Sequence, residues 1–217
     1  MTYTPLQHQS LRELIAMDLR EQILAKAIAP GEKLDIAGIA HRYAVSGGAV
    51  REGLRLLESE GLVVTNPRRG ITVRVVTPTD LLEICAVREV IDVAAANLLA
   101  ETGDAELLTR LREGQERIER CWNDSGFASG LATDLEFHVL LAESSGNSRL
   151  LSISTNLVDQ TRLYLQQVEG ADASIRRQPP AHLHTAIIDA IALGDEEAIR
   201  KACADHYLFS RARVNPE

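Results

Sequence analysis

Asp134 and His138 stand four residues apart where apolar positions repeat every three to four, so both project from one helix face. That face is otherwise apolar, carrying Leu131, Leu135, Leu141 and Ala142. His184 shares a stripe with Ile187, Ile188 and Ile191, and His206 shares one with Ile199, Ala202, Cys203 and Phe209. Three imidazoles and one carboxylate therefore point inward from three helices. A lone inward histidine is ordinarily a hydrogen-bonded core residue. Four such groups together are costly unless they share something, because an unpaired buried polar group costs about 1–3 kcal/mol. A divalent metal ion resolves the conflict, since neutral imidazole and carboxylate are its ligands. The other reading is a polar cluster held by hydrogen bonds alone. Four protein ligands complete a tetrahedral site, which makes zinc the expected ion. Nickel or manganese are the alternatives, and an ion preferring six positions would keep two for water or a small acid. His182, two residues from His184, points to the opposite side; His8 and His41 read as surface. Cys203, one turn from His206, reads as a small core residue.

The elements that must position these groups are helices. The pattern predicts them over 79–101, 104–122, 127–145, 147–168, 174–193 and 195–213. Breaks fall at Thr102-Gly103, Asn123 to Gly126, Ser145-Gly146-Asn147, Gly170 to Ala173, and Gly194. No strand-like alternation or internal repeat interrupts them, so a six-helix bundle is expected.

The front of the chain has two periods. From Ser46 to Glu60 the stripe Val50, Leu54, Leu57 is helical, with Ser46 as N-cap and Gly61 just past the end. Leu62 to Thr65 then reads as a strand, Asn66 to Gly70 as a turn, and Ile71, Val73 and Val75 as the inward face of a second strand. A first helix is expected over 6–27, with Leu11, Leu14, Ile15, Leu19, Ile23 and Leu24 on one broad face. Pro30-Gly31 stops it, and Asp35 caps a second helix facing inward with Ile36, Ile39 and Ala40. Helix, helix, turn, helix and a two-stranded ribbon outline a winged helix-turn-helix. Thr77-Pro78-Thr79 marks the boundary, with Thr79 as the expected cap of the first body helix. The fold class is therefore mainly α: a winged helix-turn-helix over 1–76 and an all-α six-helix bundle over 77–217.

Charge divides the same way. Residues 1–77 carry +2 (10 Lys+Arg against 8 Asp+Glu) and residues 78–217 carry −10 (13 against 23), within a chain total of −8. A slightly basic head on an acidic body suits a DNA reader whose body points away from the phosphates. Cys85, Cys121 and Cys203 show no paired spacing, which fits buried thiols in a reducing compartment. No apolar run reaches the roughly 18 residues of a membrane span, and no export signal opens the chain, so a cytoplasmic protein is expected.

The front motif resembles the reading head of the GntR family of bacterial transcription regulators. The matching residues are Pro30-Gly31-Glu32-Lys33-Leu34, Val45-Ser46, Val50-Arg51-Glu52, Leu54 with Leu57-Glu58, Glu60-Gly61-Leu62 and Arg69-Gly70. The rear resembles the FCD ligand-binding domain of the FadR-like branch, in its six-helix form. It does so through Asp134 with Phe137-His138, Ser145-Gly146-Asn147, His184 before Ile187, Ala190-Ile191, Gly194-Asp195 and His206. The resemblance assigns Asp134, His138, His184 and His206 as metal ligands. Arg88 matches a recurrent arginine of that domain, which implies a partner for the carboxylate of an α-hydroxy or sugar acid seated at the open metal positions; a surface salt bridge is the other reading. Asn156 and Arg162, on the helix after Ser-Gly-Asn, are further effector candidates. For operator DNA, Arg51 is assigned to a base or phosphate, Arg55 to phosphate, and Arg68 and Arg69 to the minor groove or backbone. Arg42, Ser46 and Gly70 complete that surface, and Arg74 lies nearby. One departure matters: the family's Arg-Thr-Pro after Val-Ser is Gly47-Gly48-Ala49 here, which removes an arginine that reaches the DNA.

The leading expectation is a homodimeric, ligand-responsive transcription regulator, a repressor, whose two heads bind half-sites of double-stranded operator DNA. A metal-dependent hydrolase is the second reading. It lacks a clearly placed general base and leaves the reading head unexplained. An effector-binding module with weakened or lost DNA binding, suggested by Gly47-Gly48, is the third.

Overall fold

The computed structural model describes residues 10–168, 182–212 and 214, and the chain divides into two compact units, Met1–Val75 and Val76–Glu217. In the first unit α1 spans Leu11–Leu24, started by a capping box in which Ser10 and Glu13 satisfy each other's backbone N–H groups. The helix α2 spans Ile36–Tyr43, and Asp35 caps it by accepting from the Ala37 N–H at 3.1 Å. Ala44, at φ +53°, makes the turn into α3, Gly47–Ser59, where Ser46 Oγ accepts from the Ala49 N–H. The strands β1, Val63–Asn66, and β2, Gly70–Val73, then pair antiparallel with Val63 opposite Val73 and Asn66 opposite Gly70.

Burial corrects three details of the sequence reading. Leu11 and Leu14 are exposed; α1 turns Ile15, Ala16, Leu19 and Ile23 inward instead, a narrower stripe than the apolar residues suggested. Val75 is 56% exposed, because β2 ends at Val73 and the alternation stops there. Thr77, not Thr79, caps the next helix: its hydroxyl accepts from the Asp80 N–H, Pro78 occupies the first turn, and Asp80 reaches back to the Thr77 N–H. Residues 6–9 of the expected first helix and 174–181 of the fifth body helix lie outside the described residues.

The wing is anchored to the head by the segment after α1. Gly31 N–H donates to Val73 O, Val73 N–H to Glu32 O, and Leu34 N–H to Ile71 O, all within 2.9–3.0 Å. Gly31 and Gly70 both sit at φ +80°, a conformation that favours glycine. A bidentate Arg20–Glu60 pair ties α1 to the end of α3.

The second unit consists, among the described residues, of α4 (Pro78–Thr102), α5 (Ala105–Asp124), α6 (Gly126–Ser144), α7 (Ser148–Val168), α8 (His182–Leu193) and α9 (Glu196–Ala212). Their shared core is aliphatic, with Leu99, Leu111, Ile118, Leu141, Ile187 and Ile199 among its members and Phe137 as its aromatic wedge. None of the described helices is long and apolar enough to cross a membrane.

Candidate metal centre and nucleic-acid interface

Three of the four residues singled out by spacing come together, and the fourth, Asp134, lies against one of them, His184. His138 on α6, His184 on α8 and His206 on α9 place a ring nitrogen each within 4.8 Å of one another, and all three are buried. Asp134, one turn before His138, puts Oδ1 3.5 Å from His184 Nε2. His138 Nε2, His184 Nε2 and Asp134 Oδ1 are buried without a hydrogen-bond partner. Burial pushes the His184 imidazole down to about 4, against the pull of Asp134, so it is neutral near pH 7 and able to ligate.

This donor set fits a divalent cation. Ligand atoms about 2.1 Å from a common tetrahedral centre lie roughly 3.4 Å apart, close to the Asp134–His184 separation. The wider histidine spacings need a small inward adjustment. Cys203 is packed in the aliphatic core rather than in the cluster, with its thiol held up by burial, and His182 is exposed.

Two buried residues beside the cluster escaped the sequence reading. Asp92, on α4, accepts from Tyr207 OH at 2.7 Å with Oδ2, and the same oxygen lies 2.6 Å from His138 Nδ1. Burial keeps the Tyr207 phenol far above its ordinary range, so it donates as a neutral hydroxyl. A carboxylate on the inward stripe of α4, between Ile91 and Ala95, was the available signal.

The cavity at this cluster has a volume of about 50 Å³ and is lined by Arg88, Asp134, His138 and His206 together with Thr161 and Tyr164. Arg88 is 5% exposed; its Nη1 is 3.5 Å from Thr161 Oγ1, its guanidinium carbon lies 5.5 Å from the Tyr207 ring centroid, and Nε and Nη2 have no partner. Asn156 is half-buried on α7 and does not line this cavity. Neither does Arg162, whose guanidinium faces Glu136 at 3.7 Å.

In the head, Arg51, Arg55, Arg68 and Arg69 are all exposed. Arg51 folds back towards Gly47, where an added Cβ would lie 3.8 Å from its Nη1. Arg55 pairs with Glu52, one turn earlier on α3, through Nη1 alone. Arg42 Nη1 donates to Gln22 Oε1 at 3.2 Å. Arg68 and Arg69 occupy the tip between β1 and β2, closed by the Arg69 N–H donating to Asn66 O.

Residues 11–73 match the family model for bacterial regulatory proteins of the gntR family, and residues 83–209, more than half of the chain, match the FCD domain. The chain belongs to the GntR family, in its FCD-bearing branch. The HTH-type transcriptional regulator BphR of Paraburkholderia xenovorans is 30% identical, covering 89% of this chain and 78% of its own. The HTH-type transcriptional repressor RspR of Escherichia coli is 27% identical, covering 91% and 86%. A GntR transcriptional regulator from Rhodococcus sp. RHA1, known from a crystal structure, superposes with a TM-score of 0.77 at 26% identity, covering 95% of this chain and 98% of its own. The GntR match contains every arginine assigned to DNA except Arg74, and the FCD match contains Arg88, Asp92 and the whole histidine cluster. This GntR protein is a transcriptional regulator and not an enzyme, and its helix-turn-helix is of the kind that binds operator DNA.

Proposed function

We propose that the protein is a homodimeric repressor that releases or tightens its operator when a small carboxylate enters the FCD cavity. The observation that carries this is Arg88, a buried guanidinium with two unpartnered donors, opening on the same cavity as Asp134, His138 and His206. Asp134, His138, His184 and His206 would hold a divalent ion, zinc first, with nickel and manganese as alternatives. When bound, that ion supplies a Lewis-acidic oxygen site beside Arg88.

Formal charge supports an anionic ligand. At the cluster itself, the Arg88 guanidinium against the carboxylates of Asp92 and Asp134 leaves a single formal negative charge. A divalent ion turns that into a single positive charge, which a monoanion neutralises, and unbalanced buried charge is strongly disfavoured. Size supports a small one. About 50 Å³ is far below the roughly 300–1,000 Å³ of pockets that enclose drug-sized ligands. A short hydroxy acid fits with little movement, and a sugar acid must part the helices. That requirement is a route by which ligand size becomes conformational change.

Repression is supported by the name of RspR. Dimerisation is supported by the single reading helix in each chain and by Val87, Val90 and Leu208, large apolar residues left exposed on α4 and α9. A gel-shift on the DNA upstream of the protein's own gene, with and without a panel of hydroxy and sugar acids, tests the reading. At least one acid should change the operator affinity and also raise the melting temperature. Binding to that DNA that no acid alters, with no thermal gain, would leave a DNA binder without the proposed sensing role.

A further inference from the structure

The groups around Asp92 form a continuous chain. His138 Nδ1 lies 2.6 Å from Asp92 Oδ2, Tyr207 OH donates to that same oxygen at 2.7 Å, and the Tyr207 ring lies beneath the Arg88 guanidinium. Asp92 and His138 are each 1% exposed by side chain, so water does not compete for this contact. A carboxylate is acceptor-only when ionised, so a neutral imidazole facing it carries its proton on Nδ1. Nε2 is then left with a lone pair, and Nε2 is the atom of His138 that has no partner. In metal sites a histidine held this way is fixed in tautomer and ring orientation and made more basic.

From this geometry we infer that Asp92 is the positioning residue of the cluster. It sets His138 as the Nδ1–H tautomer, aims Nε2 at His184 and His206, and through Tyr207 joins that arrangement to Arg88. The inference rests on the reading of the cluster as a metal site, but its first half, the tautomer, holds for the ion-free protein too. Asp92 has a second role to be separated from this one. Its bond to Tyr207 also ties α4 to α9, and a merely structural Asp92 would act through that tie alone.

The experiment uses the full chain as wild type, Asp92→Ala, Asp92→Asn and Tyr207→Phe, each shown to be folded by circular dichroism. Zinc affinity is measured by competition with a chromophoric chelator, and the His138 ring nitrogens of the chelated protein are read by nitrogen-15 NMR. The wild type should show a single Nδ1–H tautomer. Asp92→Ala should mix the tautomers and weaken zinc by about 10- to 100-fold, the range for loss of such a partner. Asp92→Asn keeps an acceptor oxygen without the charge, so it should retain the tautomer and lose less affinity. This isosteric variant also keeps the test alive if Asp92→Ala does not fold. Tyr207→Phe should leave the tautomer intact.

An unmixed tautomer and unchanged zinc affinity in Asp92→Ala would overturn the inference, as would Tyr207→Phe reproducing both losses. If the wild type takes up no zinc, the metal reading fails, and the tautomer measurement still decides what Asp92 does.

Discussion

His138 Nε2, His184 Nε2 and Asp134 Oδ1 are buried and unpartnered, and each such atom costs about 1–3 kcal/mol. A bound cation would convert these costs into ligation, and a ligand at 100 times its Kd adds about 2.7 kcal/mol of stability. Chelator-treated protein should therefore melt several degrees lower than the same protein given zinc, and His184→Ala should abolish the difference. Equal melting curves for chelated and zinc-treated wild type would remove the ion from the account. Arg88 allows a separate test, because a guanidinium offers a planar fork that an ammonium lacks. Arg88→Ala should abolish the thermal gain from an active acid, and Arg88→Lys should keep the charge yet recover only part of that gain. A full gain in Arg88→Ala would place the carboxylate elsewhere.

At the level of elements, α3 shows where sequence and structure part. Its three glycines look alike as weak points in a helix, yet their surroundings differ. Gly47 and Gly48 face space in which an added Cβ meets nothing nearer than 3.6 Å, whereas at Gly53 it would meet Ile15 Cγ2 at 2.9 Å and the Arg12 carbonyl at 3.1 Å. Gly53 is thus where α1 packs closely on the reading helix. Gly53→Ala should cost about 1–3 kcal/mol by overpacking, while Gly48→Ala should gain up to about 1 kcal/mol from helix propensity. Thermal melts of the two variants should shift in opposite directions, and a neutral Gly53→Ala would contradict the close approach. Periodicity could reveal the stripe Val50, Leu54, Leu57, because a helix records its buried face in its own spacing. It could not reveal what crosses that face, so Gly53 reads as a defect until α1 is in place. Asp92 was hidden for the same reason. Its partners His138 and Tyr207 lie 46 and 115 residues away, and spacing within α4 carries no trace of them. Asp134 and His138 were legible because both lie on a single helix.

Across the whole molecule, the arginines assigned to DNA lie in the slightly basic head, and the cavity proposed to take an acid lies in the acidic body. Arg51→Ala should weaken operator binding by roughly 5- to 150-fold if it reads a base, corresponding to about 1–3 kcal/mol. If it instead holds a phosphate, the loss should be similar on all sequences and the salt slope should fall by about one. A stricter test concerns the link between the two units, because coupling between binding sites is reciprocal. If an acid changes operator affinity by some factor, operator DNA must change the affinity for that acid by the same factor, about 5- to 150-fold for typical couplings of 1–3 kcal/mol. Both legs can be measured on one preparation, by fluorescence anisotropy of labelled operator at saturating acid and by calorimetry of the acid at saturating operator. In His184→Ala both shifts should collapse together, since the body would no longer prefer one arrangement on binding the acid. An acid that raises the melting temperature but leaves operator affinity unchanged would show a pocket that binds without signalling. A coupling that survives undiminished in His184→Ala would show that acid and DNA communicate by a route other than the histidine cluster.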